Sequence, residues 1–141
     1  MPEMTDEAIE RLASGFLDHS LPKSEWTHGA HFAAALWMLA RHGDAALPEM
    51  RAAIRSYNEA TGGENTDTAG YHETITAASL IMARAHMAAH PGAPLRSQLA
   101  SLLAGPCGRP DWILSYWTKA RLFSADARRG WVGPDLQPLP E

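Results

Sequence analysis

Gly70-Tyr71-His72-Glu73-Thr74-Ile75-Thr76-Ala77-Ala78-Ser79-Leu80-Ile81-Met82-Ala83-Arg84-Ala85-His86-Met87-Ala88-Ala89-His90 is the stretch whose reading decides the fold. From Tyr71 to His90 it holds no Gly and no Pro, and Pro91-Gly92 breaks it. It is too long for a strand and lacks the alternation a strand needs. Alanines dominate, with Ile75, Leu80, Ile81, Met82 and Met87 among them. Alanine is the strongest helix former and leaves little bulk, so the segment reads as a helix that neighbours can approach closely. It is expected to be the most buried helix of the chain. Its first turn is polar and reactive, which marks it as a functional end as well as a structural one.

Three further helices precede it. Thr5 caps a first, with Asp6 and Glu7 at its positive end and Ile9, Leu12, Ala13, Phe16 and Leu17 at helical spacing. Leu21-Pro22 ends that helix. Ser24 is the expected cap of a second, running from Glu25 to about Arg41 and stopped by Gly43. On it His28 and His31 share a stripe with Ala35, Leu36, Met38 and Leu39. Asp44 is the expected cap of a third, with Leu47, Met50, Ile54 and Tyr57 facing inward and Thr61-Gly62-Gly63 as its stop.

Beyond Pro91-Gly92, Pro94 suits the start of a fifth helix carrying Leu95, Leu99, Leu102 and Leu103. Short turns are expected at 111–116 and 124–130. The prolines of 131–141 forbid regular helix, so this stretch reads as an extended tail, packed on the body through Trp131, Leu136 and Leu139. No segment combines alternation with β-branched enrichment. The expected fold class is all-α: a compact helical bundle of four main helices, an irregular C-terminal third and a Pro-rich tail, all within one domain spanning 1–141.

Composition narrows the function classes. Hydrophobic residues make up 45% of the 141 and charged residues 20%, as in ordinary globular chains. A net charge of -4 argues against a nucleic-acid partner. No apolar run reaches the ~20 residues that span a bilayer. The start, Met1-Pro2-Glu3-Met4-Thr5-Asp6-Glu7, has no apolar core and does not read as a signal peptide. With Cys107 as its one cysteine, the chain forms no internal disulfide, and a cytoplasmic location is expected. Oligomeric state is not legible.

Short connections make consecutive helices antiparallel neighbours. The second and fourth helices then run in one direction, and their N-termini meet at one end of the bundle. That brings Glu25-Trp26-Thr27-His28-Gly29-Ala30-His31 beside Gly70-Tyr71-His72-Glu73. Imidazole and carboxylate are ligands for Zn, Fe or Mn, so His28, His31, His72 and Glu73 form a candidate metal set. Glu73 and Glu25 are candidate catalytic carboxylates. Tyr71, Thr76 and Asn58 are candidate ligand-binding groups, and Arg121 or Arg128 is placed to hold an anionic group bidentately. Each also has a structural reading: Glu73 and Glu25 as residues favouring a helix start, the histidines as hydrogen-bonded core side chains, the arginines as surface cations.

Several sharper motifs are excluded. His72-Glu73 begins like a zincin helix, but Thr76 stands where the second histidine is required. Glu25-x-x-His28 has di-iron spacing but no second copy. Nucleotide-binding glycine loops and the G-x-S-x-G elbow are missing. His86 lies about 21 Å along the helix from His72, so His86 and His90 belong to no shared site and are expected near solvent.

Glu25-Trp26-Thr27-His28 with His31, Tyr57-Asn58, Asn65, Gly70 to Thr76, Arg121-Leu122-x-Ser124 and Trp131-x-x-Pro134-Asp135-Leu136 together resemble a family of small bacterial all-α proteins. The resemblance covers most of the chain. It implies that these positions form a unit and carries over no catalytic role. Three functions follow for testing: a small-molecule enzyme with a divalent metal (Zn, Fe or Mn) working by hydrolysis or oxidation; a non-catalytic small-ligand binding module; and a structural or interaction protein with core histidines.

Overall fold

The computed structural model describes residues 4–140. The start of the N-terminal reading and the last residue of the tail therefore lie outside the described residues. The fold is all-α. α1 spans Asp6–Leu17, α2 His28–His42, α3 Ala46–Ala60, α4 Glu73–Ala89 and α5 Leu95–Ala104; short α6 (Lys119–Leu122) and α7 (Ala125–Arg129) follow. Single 3-10 turns stand at Lys23–Glu25, Gly43–Ala45, Pro106–Gly108 and Trp112–Ser115. No strand occurs among the described residues, and no helix there is long and apolar enough to cross a membrane.

The helix starts differ from expectation in ways that matter for the site. α2 begins at His28, not Glu25. Thr27 is its cap, accepting from the Ala30 amide at 3.2 Å, while Glu25 falls in a separate turn. α4 begins at Glu73, and His72 is its cap: Nδ1 accepts from the Ile75 amide at 3.1 Å. Imidazole is an uncommon cap, but its unprotonated nitrogen accepts as a serine oxygen does. α3 has no side-chain cap. Asp44 turns outward to pair with Arg84 at 2.8 Å instead.

α2, not α4, is the most enclosed helix. Phe32 through Met38 are all buried, since α1, α3, α4 and α5 all pack against it. Three consecutive alanines, Ala33 to Ala35, let those neighbours approach on every side. Beside it, Phe16, Trp26 and Tyr57 form an aromatic cluster. The Phe16 and Trp26 rings stack at 4.3 Å, and the Tyr57 hydroxyl donates to the Leu21 carbonyl at 2.7 Å.

The tail is tied down by hydrogen bonds as well as by two of the three apolar residues that marked it in the sequence: Leu139 packs on the core and Trp131 stands edge-on to Trp117 at 5.6 Å, while Leu136 is exposed. Trp131 and Leu136 are 46% and 55% exposed. The tie runs through Thr74, whose hydroxyl donates to the Gly130 carbonyl and accepts from the Val132 amide. The Trp117 indole donates to the Val132 carbonyl, and Asp135 accepts from the amide and hydroxyl of Thr118.

Candidate functional site

The starts of α2 and α4 do meet. Between them lies a cavity of about 320 Å3, lined by Trp26 and His31 from the α2 side, Tyr71, His72, Ile75, Thr76 and Ser79 from the α4 side, and Met50, Ile54 and Asn58 from α3. A second hollow of about 300 Å3 shares Trp26, His31, Ile75 and Ser79 as a wall and continues toward His28, Asp111 and Phe123. His31 thus stands between two openings.

The expected metal set does not assemble. Among the described residues no three His, Cys, Asp or Glu side chains are grouped to hold a metal ion. Three of the four expected ligands have partners elsewhere. His72 has both nitrogens engaged, Nε2 donating to the Leu122 carbonyl at 2.7 Å and Nδ1 capping α4. Burial lowers its pKa, in keeping with a neutral ring. His28 donates from Nε2 to the Cys107 carbonyl at 2.7 Å. Glu73, about 100° further round the helix, faces away from the cavity. Arg51 grips it with two bonds, 2.9 and 2.7 Å, and Tyr71 donates to it at 2.5 Å. The Arg51 guanidinium holds the carboxyl below its ordinary range despite burial. Burial and the adjacent carboxylate push the Tyr71 phenol up.

His31 is the exception. Its ring lies against Trp26, centroids 4.0 Å apart, and takes no hydrogen-bond partner among the described residues. Burial, followed by the neighbouring His28, pushes its pKa down to about 4. At neutral pH it is an uncharged imidazole with a free acceptor and a free donor at a cavity wall. Asn58 donates to Asn65 at 3.1 Å, leaving its carbonyl oxygen available. Thr76 and Ser79 donate back to the His72 and Ile75 carbonyls, leaving lone pairs.

Glu25 lines neither opening. Arg121 is held outside by the Gly133 carbonyl at 2.6 Å, and Arg128 lies against the end of the 64–70 loop, bonded to the Gly70 and Tyr71 carbonyls at 2.9 and 3.3 Å. His86 and His90 stack on each other at 4.4 Å at the far end of α4. Sequence reasoning passed over Trp26, Ser79 and Arg51 as site residues. Ser79 was findable, lying three residues beyond Thr76 on one face of α4. Arg51 carries no local signal, because its partner is 22 residues away.

Gly70 is required by geometry. Its φ is +84°, and an added Cβ would stand 2.0 Å from the Glu64 carbonyl oxygen. The Asn65 side chain fastens this loop, accepting from the Tyr71 amide at 3.0 Å and donating to the Arg55 carbonyl at 3.0 Å.

Compared with protein-family models, curated proteins and solved structures, the chain finds no match. What the site does has to come from its own geometry.

Proposed function

We propose that the chain is a small-ligand binding domain and that its ligand occupies the cavity between the starts of α2 and α4. The observation that carries this reading is His31: a neutral, half-buried imidazole without a hydrogen-bond partner among the described residues, set in an otherwise mostly apolar wall. Small-molecule sites have this composition, apolar lining with a few convergent polar groups, and volumes from ~300 Å3 upward. The fitting ligand is a small, flat, largely apolar molecule with a hydroxyl or N–H aimed at His31 and a donor within reach of the Asn58 oxygen.

Binding is favoured over acid-base catalysis by the protonation states. A general base works best with a pKa near the operating pH. His31, at about 4, lies well below it. Glu73 is held as a carboxylate by Arg51, and Tyr71 is pushed away from ionisation. Metal-assisted hydrolysis or oxidation at the expected ligand set would need His72 or Glu73 to give up a present partner.

The test pairs two probes of one shape, phenol and toluene, followed by the backbone amide NMR signals of the cavity-lining residues Ile75, Thr76 and Ser79, which His31→Phe leaves in place. Saturable shifts with phenol, at least about fivefold tighter than with toluene and lost in His31→Phe, are the expected result. No saturable shift with either probe overturns the reading. So does stoichiometric uptake of zinc, iron or manganese that disappears in His28→Ala, His31→Ala and His72→Ala alike.

A further inference from the structure

A second pocket lies on the other side of Tyr71, bounded by α3, the 64–70 loop and α7. It encloses about 250 Å3 and is lined by Arg51, Arg55, Arg128 and Arg129, with Asp67 and Glu73 as its acidic residues. Four guanidiniums gathered in a chain of net charge -4 need a reason. Two have one inside the protein: Arg51 forks onto Glu73, and Arg129 forks onto Asp67, whose carboxyl is held low by it. The other two do not. Arg55 and Arg128 have no carboxylate partner among the described residues. Arg128 is nonetheless fixed in place, because one of its nitrogens is bonded to the Gly70 and Tyr71 carbonyls.

We infer that this pocket binds a phosphoryl group, as inorganic phosphate or a phosphomonoester, between Arg55 and Arg128. Two positive charges remain uncompensated at the pocket, and a phosphoryl dianion carries the matching charge at neutral pH. Guanidinium forks match phosphate oxygens bidentately, which a single carboxylate would use only once. Arg51, four residues from Arg55 on one face of α3, is already neutralised by Glu73, which leaves Arg55 as the free cation of that face among the described residues. The site is preorganised by groups that do not contact the anion: Asn65 pins the loop to α3 through the Arg55 carbonyl, and Gly70 permits the turn beneath Arg128. Thr66 supplies a hydroxyl at the rim. This inference is independent of the ligand assigned to the α2–α4 cavity, since the two pockets share only Tyr71.

Calorimetric titration of the full chain with inorganic phosphate and with phenyl phosphate, at low ionic strength in chloride buffer, tests it. The expected result is one-to-one binding of at least one probe. Arg55→Gln should weaken it about tenfold or more, and Arg128→Lys, which keeps the charge and loses the fork, should weaken it measurably. Arg121→Gln, which removes an arginine outside the pocket, should leave it unchanged. Tighter binding of phenyl phosphate assigns the site to a monoester, and tighter or equal binding of inorganic phosphate assigns it to the free ion. Absence of saturable binding overturns the inference. Equal weakening by Arg55→Gln and Arg121→Gln also overturns it, because it would mark general charge attraction rather than a site.

Discussion

Arg51 on α3 holds both carboxylate oxygens of Glu73 on α4, at 2.9 and 2.7 Å, so the first residue of one helix is clamped to the middle of another. The Glu73 side chain is 11% exposed, and Tyr71 adds a third bond to it. The carboxylate also sits at the positive end of α4, where negative charge is favoured.

Arg51→Ala leaves that carboxylate enclosed with one remaining donor. The expected loss is about 1–3 kcal/mol in urea denaturation, less than for a fully buried pair because Arg51 is itself partly solvated. The pH signature follows from the depressed carboxyl. Its stabilisation is complete above the ordinary value of 4.5 and is lost as pH falls through the lower folded value. Wild-type protein should therefore lose more stability than Arg51→Ala on acidification below 4.5. Parallel curves would show that the clamp is not formed in solution.

His31 acts in a different window. Its folded pKa of about 4 lies below the ordinary 6.5, so the unfolded chain takes up a proton that the folded chain refuses. Stability is unaffected by this group above 6.5 and declines as pH falls from 6.5 toward 4. His31→Phe should flatten the curve over that interval. An imidazole NMR titration should keep the ring neutral at pH 5.5, and a midpoint near 6.5 would show that its surroundings do not disfavour the charged form.

Gly70→Ala is expected to cost about 2 kcal/mol or more, from the positive φ and the clash with the Glu64 carbonyl. Gly62→Ala has a similar φ, +91°, but open space around it, and should cost about 1 kcal/mol. Denaturation midpoints of the two variants check the difference. Because Gly70 shapes the wall under Arg128, its variant should also weaken phosphate binding while Gly62→Ala does not.

Truncation after Gly130 removes the partners of Thr74, Trp117 and Thr118. Trp117 is fully buried, and its indole would be left without an acceptor. A loss of about 2–4 kcal/mol is expected, read as a clear drop in Tm. Asp135→Ala, which removes only the bonds to Thr118, should cost less.

The sequence by itself determined the helices and the meeting of two of them. Runs such as Phe32 to Met38 and Ala77 to Ala89 carry mostly apolar, helix-forming residues between clear stops, and the alternating course of the chain then brings the starts of α2 and α4 together. Periodicity and breakers are local properties, so they can be read one segment at a time; the connections are not all short, since 18–27 and 61–72 separate α1 from α2 and α3 from α4, and packing on α2 holds the ends together there. The occupation of each polar side chain was decided only by the tertiary structure. His28, His31, His72 and Glu73 had the types and spacing of a metal set, yet the Cys107 and Leu122 carbonyls, the start of α4 and Arg51 claim three of them, each but the α4 start from far along the chain. Of these three histidines only His31 has both ring nitrogens without a partner among the described residues, its ring lying against Trp26. Ligand spacing is written locally. Competition for a nitrogen or an oxygen is settled by whichever donor or acceptor folding brings within 3 Å, and no local pattern encodes that.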